Sequence, residues 1–173
     1  MVEILPSDIE ILMGILRRRY ELIILDMGHG TQCILDFAPY IQQVLLVVNQ
    51  NIPSICLATR KYKMWQQWGF AKEQVKLVVN AYDKRNPVTL AQIGKSMETK
   101  DTLCVRHDEA RVLSAMNQGV PLQSISTWGK AYKDIAALAL ALAKMAKANP
   151  KPNPPQPGSE TLPQMKFMKQ AMI

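Results

Sequence analysis

A chain of 173 residues is long enough for one well-cored domain and too short for two of ordinary size. Apolar residues make up 48% and charged residues 20%, which is typical of a soluble globular protein, and no apolar run approaches the roughly 20 residues of a membrane-spanning helix. The net charge of +7 suits a polyanionic partner, but apart from residues 17–19 the cations are dispersed, which favours a solvated surface. The start MVEILPSDIE lacks the layout of a secretory signal, so we predict a cytoplasmic location.

The cysteines and histidines give no indication of a metal centre with soft ligands. Cys33, Cys56 and Cys104 are odd in number, widely spaced and set in apolar segments, which predicts buried thiols and not disulfides or metal ligands. His29 and His107 are the only histidines, and their spacing from the cysteines does not suggest zinc.

The first predicted element is a helix that begins with the capping-box pattern S-x-x-E at Ser7 and Glu10. Its C-terminal end carries the three arginines 17–19, where cations suit the helix dipole. The apolar residues that recur on one face are Ile9, Leu12, Met13 and Leu16.

Four apolar runs are predicted strands, at residues 22–25, 44–48, 75–79 and 102–105. Each run is continuous and does not alternate with polar residues, which is typical of strands covered on both faces. Helical patterns separate the runs. This alternation predicts an α/β domain with a mainly parallel sheet and helices on both faces.

The intervening helices have recognisable ends. Residues 53–68 repeat apolar residues along one side, and the T-x-x-Q pattern of Thr89 and Gln92 predicts a second cap. Asp108 is predicted to cap a helix that Gly119 stops, and a last helix spans residues 130–147. The tryptophans at 65, 68 and 128 are expected to pack in the core or in an interface.

The composition changes after residue 148. The stretch NPKPNPPQPGS reads as an extended proline-rich linker, so we assign residues 1–148 to the α/β domain and 149–173 to a linker with a disordered tail. The tail sequence LPQMKFMKQAMI is amphipathic over a short length, which leaves weak contact with a membrane surface or a partner groove open.

Polar residues follow each predicted strand directly. In an open parallel sheet, ligands bind beyond the carboxyl ends of the strands. The polar groups at those ends are Asp26 in the turn DMGHG, Asn49, Asn80, Tyr82, Asp83, Arg106, His107 and Asp108. Helix caps and ordinary turns are the alternative interpretation of the same residues, and for Asp108 an N-cap is the better single explanation.

Four segments in this order resemble a known family. They are YELIILDMGHG, VLLVVNQNIPSICLATR, VKLVVNAYDKRNPVTLAQI and VRHDEARVLSAMNQGVPL. Over about residues 7–145, the chain resembles the later two-thirds of the deviant Walker ATPases of the MinD/ParA group, in particular the pilus-assembly branch called CpaE or TadZ. The resemblance implies a P-loop-NTPase-like α/β fold, here missing the strand that feeds the phosphate loop.

The resemblance also implies roles for single residues. Asp26 matches the Walker-B-like aspartate that helps to hold magnesium through water, and Gly30 matches a glycine whose N–H approaches the terminal phosphate. Asn80 matches the asparagine that binds the adenine edge, while His107 and Asp108 lie in the segment that flanks the base. The implied ligand is ATP or ADP with magnesium, and none is required if the site is degenerate. The family usually has prolines between this aspartate and this glycine, where the chain has Gly28 and His29. It usually has a further proline where the chain has Arg106.

A phosphate loop is missing from these 173 residues. Neither G-x-x-x-x-G-K-[ST] nor its lysine-doubled variant occurs, so we predict that this chain alone does not hydrolyse ATP. The leading hypothesis is a non-catalytic or weakly nucleotide-binding scaffold, at the membrane face or the cell pole, of a Tad-type pilus or secretion assembly. Its partners would be a second copy or other assembly proteins.

Two further hypotheses remain. The first is an ATPase completed by dimerisation or by a partner that supplies the phosphate loop. The second is a ParA-like binder of the DNA surface, and the dispersed lysines make it the weakest. An oxidoreductase of the dinucleotide-binding type is excluded, because no G-x-G-x-x-G turn follows a strand.

Overall fold

The computed structural model describes residues 5–28, 32–99 and 102–148. The chain divides into two compact units. The sheet unit is Gln43–Leu142, and the N-terminal unit contains the described residues up to Gln42 together with those from Ala143 onward. The predicted linker and tail, 149–173, lie outside the described residues.

The sheet unit contains an open parallel sheet of three strands. They are β1 (Val44–Asn49), β2 (Val75–Tyr82) and β3 (Thr102–Arg106), in the order β1-β2-β3. The register places Asn49 beside Asn80 at the end of the first pair, and Leu77 beside Thr102 in the second. The predicted α/β fold with a parallel sheet is confirmed.

Helices follow each strand, as the sequence predicts. They are α3 (Ile52–Gln67), α4 (Leu90–Ser96), α5 (Glu109–Gln118), α6 (Leu122–Ile125) and α7 (Lys130–Ala148), of which α7 belongs to the sheet unit up to Leu142. The cap of α4 is confirmed, because Thr89 N donates to Gln92 Oε1 at 2.8 Å and Gln92 N donates to Thr89 Oγ1 at 3.3 Å. Gly119 ends α5 in the left-handed conformation, with φ 62°.

Helix α3 is capped at its N-terminus and buries the apolar side that its sequence predicts. Asn51 caps it, because its Oδ1 accepts a hydrogen bond from Ser54 N at 2.9 Å. The predicted apolar side is buried and packs this helix against β1. Its members are Ile55, Ala58, Tyr62 and Trp65. The adjacent Trp68 is also buried, which confirms two of the three tryptophans as core residues.

The three strands are not equally covered. Successive residues of a strand point to opposite faces, and Val78 and Val79 are 3% and 0% exposed, so β2 is covered on both faces there. Val47 of β1 is 59% exposed and Leu103 of β3 is 39% exposed. The expectation of burial on both faces is therefore wrong for the two outer strands, each of which has one neighbour in the described sheet.

The N-terminal unit contains α1 (Pro6–Arg19), α2 (Gln32–Phe37) and a 3-10 turn (Ala38–Tyr40). Helix α1 begins earlier than the Ser7 pattern predicts, because the N–H of Leu5 donates to the Asp8 carboxylate at 2.9 Å. Ile9 and Met13 are buried as predicted, but Leu12 is 47% exposed. None of the described helices has both the length and the apolar character needed to cross a bilayer.

Residues 22–25 do not form the predicted strand. A strand is stabilised by hydrogen bonds to a neighbour, and among the described residues none pairs with this segment. Leu22 and Ile24 are 44% and 77% exposed, so the segment also lacks the burial that its apolar sequence predicts. The segment has the apolar character of a strand, but the described part of the chain provides no strand that pairs with it.

Some side-chain predictions also need correction. Cys56 is exposed and Cys104 is half-buried, and both are free thiols. Burial, and to a smaller extent the charge of Asp134, raises the pKa of Cys104. Trp128 is 81% exposed, and the Lys133 ammonium lies 5.1 Å from its ring centroid. Of the two placements expected for this tryptophan, the core is therefore wrong, and the interface stays a prediction.

Candidate functional site at the carboxyl ends of the strands

The last residues of β1, β2 and β3 and the residues directly after them lie side by side, and we call them the C-terminal rim. Asn49 and Asn80 are register partners, and both are exposed. Tyr82 pairs with Arg106, and His107 N donates to the Tyr82 carbonyl oxygen at 2.9 Å. The rim thus joins polar residues from three strands, as expected for a parallel sheet.

An irregularity in β2 shapes the middle of this rim. The register of β2 with β3 shifts between Val79 and Tyr82, and Ala81 within that interval has φ 49°. A left-handed conformation is unusual for a residue with a Cβ. Bulges of this kind change the direction in which the neighbouring side chains point. Asn80, the predicted adenine-binding residue, lies directly before this strained position.

Gln50 is the buried polar residue of the rim, only 8% exposed. Its side chain accepts a hydrogen bond from Asp83 N at 2.8 Å and donates one to the Val88 carbonyl oxygen at 2.7 Å. Its backbone oxygen accepts a further bond from the Asn86 side chain at 3.1 Å. These bonds fasten the loop after β2 to the end of β1. Sequence reasoning missed Gln50, and its position directly after an apolar strand was the available signal.

Asp83 forms the first of three aspartate–arginine pairs. Its carboxylate accepts hydrogen bonds from the Arg85 guanidinium at 2.9 and 3.2 Å and from the Arg85 backbone N–H at 2.9 Å. These bonds lower the pKa of Asp83 to about 2, and the charge of His107 adds a smaller effect in the same direction. Asp83 therefore stays ionised and engaged with its neighbour at neutral pH.

Arg106 and Asp134 form the second pair, between the end of β3 and α7. The guanidinium donates to both oxygens of Asp134 at 2.8 Å, and Arg106 N donates to the same carboxylate at 2.9 Å. The hydrogen bonds from Arg106 lower the pKa of Asp134, against a smaller effect of burial. Bidentate pairing of this kind is among the stronger polar contacts in proteins. Arg106 thus anchors α7 to the end of β3.

Asp108 forms the third pair. It occupies the N-cap position of α5, but its side chain makes no capping bond, which corrects the predicted cap. Instead its Oδ1 accepts a hydrogen bond from Arg111 Nη1 at 2.9 Å, and a Cβ on Gly129 would lie only 2.9 Å from its Oδ2. Burial alone raises the pKa of Asp108, but its hydrogen bond from Arg111 acts in the opposite direction, and the net direction is down. Its second oxygen, Oδ2, is buried and has no hydrogen-bond partner among the described residues.

The predicted site residues do not all belong to the same unit. Asn80, His107 and Asp108 belong to the rim of the sheet unit, and His107 Nε2 lies 3.6 Å from a carboxylate oxygen of Glu109. Asp26 belongs to the N-terminal unit, where its Oδ1 accepts a hydrogen bond from Gly28 N at 3.0 Å. Gly30 lies outside the described residues. The nucleotide and magnesium roles of all five residues stay predictions.

An open parallel sheet with a polar rim and a helix after each strand defines an open-sheet α/β protein, a class in which ligands bind at the carboxyl ends of the strands. The fold is similar to that of a ParA family ATPase from Chlorobium tepidum TLS, with a TM-score of 0.72 and 18% sequence identity. The match covers 79% of this chain and 57% of that chain, so the protein spans a little over half the length of its structural neighbour. The sequence matches no protein-family model and no curated protein. This similarity shows the fold alone, an α/β fold like that of a ParA family ATPase.

Proposed function

We propose that the chain is a non-catalytic or weakly nucleotide-binding scaffold of a Tad-type pilus or secretion assembly, which works through contacts with other proteins. The observation that carries the proposal is the pairing of three aspartates at and behind the rim. Asp83, Asp108 and Asp134 each accept hydrogen bonds from an arginine of the sheet unit. Carboxylates engaged in this way are poorly placed to act as general bases or metal ligands. Only the Arg106–Asp134 pair joins distant parts of the chain, whereas the other two pairs are local.

The same rim still offers groups that suit a nucleotide base. The amides of Asn49 and Asn80 are exposed next to each other, and an amide presents both a donor and an acceptor to the edge of adenine. Exposed amides without an anchor for the phosphates bind weakly, because water competes for each hydrogen bond. Weak binding that depends on the base and not on magnesium is therefore what we propose for this surface.

Isothermal titration of the purified chain with ATP tests this proposal, once with magnesium and once with EDTA. We expect either no heat or a weak isotherm that magnesium does not strengthen. Asn80→Ala should abolish any such isotherm, whereas Asn117→Ala, which alters an exposed amide on α5, should leave it unchanged. Tight binding that requires magnesium would contradict the proposal.

The pilus-assembly part of the proposal rests on the resemblance of four segments to CpaE and TadZ, and the ParA/MinD-like architecture supports it. Imaging a fluorescently tagged chain in cells that express a Tad-type assembly provides a test. We expect discrete foci that disappear when the assembly genes are deleted. Foci that persist after the deletion, or a uniform distribution in its presence, would contradict this assignment.

An ATPase completed by a second polypeptide is the alternative function. It is favoured by one observation, that the chain spans 57% of the length of the ParA family ATPase it is similar to. Phosphate release should then appear only after mixing with a polypeptide that carries a phosphate loop. DNA binding is the weakest alternative, because Arg85, Arg106 and Arg111 already have carboxylate partners within the chain.

A further inference from the structure

The carboxylate of Asp108 contains a buried oxygen atom for which its pair with Arg111 does not account. The Asp108 side chain is only 7% exposed, and its Oδ1 accepts the hydrogen bond from Arg111. Oδ2 is shielded from solvent, yet no described residue donates a hydrogen bond to it. Such an oxygen is costly, because it has lost its contact with water and gained no donor in exchange.

Oδ2 faces the N-terminus of α7, a helix of 19 residues. A Cβ on Gly129, directly before this helix, would lie 2.9 Å from Oδ2, so a glycine is needed for the carboxylate to come this close to the backbone. Gly129 is buried and Ala131 is 2% exposed, so these residues are shielded from water. The first N–H groups of an α-helix have no acceptor within the helix. The start of α7 therefore presents shielded donors next to a shielded acceptor.

The electrostatics of the carboxylate agree with this arrangement. Burial raises the pKa of Asp108, whereas Arg111 and, to a smaller extent, the backbone N–H groups of Ala131 and Lys130 lower it. The positive end of the helix dipole also favours a negative charge at this place. Both effects stabilise the ionised carboxylate at the start of α7.

We propose that Asp108 is the N-terminal cap of α7 and acts as a latch, which holds the start of this helix to the C-terminal rim while the carboxylate is ionised. Oδ2 accepts hydrogen bonds from the first N–H groups of the helix, and Arg111 holds Oδ1. Arg106 anchors the same helix through Asp134, one turn further along. The position of Asp108 directly before α5 therefore indicates a cap for the wrong helix.

Protonation of Asp108 releases the latch. Because the pKa of Asp108 is lowered in the folded chain, the latch is present above about pH 4 and is lost as the pH falls through the native value. The charged residues of the elements around it are Arg106, His107, Glu109 and Arg111, and on α7 Lys130, Lys133 and Asp134. Arg106 is engaged by Asp134, and His107 lies 3.6 Å from Glu109. The latch is independent of nucleotide binding.

Hydrogen exchange of single backbone amides in the full chain at neutral pH tests the proposal. Asp108→Ala should speed the exchange of the Lys130 and Ala131 amides by about fivefold or more, while the amides of α3 stay protected and show that the fold is intact. Asp108→Asn keeps an acceptor oxygen and should lose less protection.

Arg111→Gln is the matched control for this experiment. It breaks the pair at Oδ1 and leaves Oδ2 in place, so the exchange of the Lys130 and Ala131 amides should stay within about twofold of the wild type. Unchanged exchange in Asp108→Ala, or an equal rise in Asp108→Ala and Arg111→Gln, would overturn the proposal.

The proton chemical shifts of the same two amides provide a second, independent measurement. Followed from about pH 7 to pH 2, the shifts of Lys130 and Ala131 should move with the protonation of Asp108 in the wild type and should not do so in Asp108→Asn. Wild-type shifts that do not respond to pH, or that titrate equally in Asp108→Asn, would also overturn the proposal.

Discussion

Replacing Gln50 with leucine removes the side chain that fastens the loop after β2 to the end of β1. Leucine is close to glutamine in size and fills the buried position, but it can neither accept from Asp83 N nor donate to the Val88 carbonyl. Both backbone groups lose their partners in a part-buried location. The free energy of unfolding should therefore fall by more than the value of two ordinary hydrogen bonds.

The magnitude follows from the two bonds and from the groups left behind. A hydrogen bond contributes about 1 kcal/mol net, and a buried group without a partner costs about 1–3 kcal/mol, of which solvent recovers a part in a surface loop. We expect a loss of about 2–3 kcal/mol for Gln50→Leu. For a chain of this size, that loss lowers the melting temperature by about 4–12 °C.

Urea unfolding followed by tryptophan fluorescence measures the free energy of unfolding of the sheet unit, which contains Gln50. All three tryptophans, at 65, 68 and 128, belong to the sheet unit. Gln118→Leu on the exposed side of α5 is the control, and it should change the free energy of unfolding by less than about 0.5 kcal/mol. If Gln50→Leu lowers the free energy of unfolding no more than Gln118→Leu does, the Gln50 side chain does not fasten the loop after β2 to the end of β1.

Three further substitutions test other contacts. Gly94→Ala should lower the free energy of unfolding by about 1–3 kcal/mol, because the new Cβ would lie 2.7 Å from the backbone oxygen of Thr99; an unchanged melting temperature would contradict that close approach. Asp134→Asn should cost about 2 kcal/mol at neutral pH, since it breaks the bidentate pair with Arg106. The lowered pKa of Asp134 means that its contribution is present above about pH 4 and is lost as the pH falls through the native value, so urea melts of wild type and Asp134→Asn should converge in acid. Ala81→Gly should raise the free energy of unfolding by up to about 1 kcal/mol, because glycine adopts the observed φ of 49° without strain, and a destabilised variant would contradict it.

Local rules predicted much of the sheet unit from the sequence. The Thr89 cap, the stop at Gly119 and the buried side of α3 depend on residues within a few positions of one another. Three of the four predicted strands form, because each has a neighbour in the sheet. Residues 22–25 have the same apolar character, but no described segment pairs with them, and a local sequence pattern cannot reveal whether a strand has a partner.

The polar contacts of the rim could not be predicted in the same way. Gln50 bonds to residues 33 and 38 positions away, and Arg106 bonds to Asp134 at a distance of 28 positions along the chain. Such pairs are brought together only by the packing of the loops and of α7. Asp108 shows the consequence, because its position suggested a cap for α5 while its carboxylate faces Arg111 and the start of α7.

Phosphate release by the purified chain in the presence of ATP and magnesium tests the proposed lack of catalysis most directly. With the rim aspartates engaged by arginines, the isolated chain should release phosphate no faster than a solution of ATP without protein. Turnover that rises in proportion to the concentration of this chain, and persists after further purification, would contradict the proposed scaffold role.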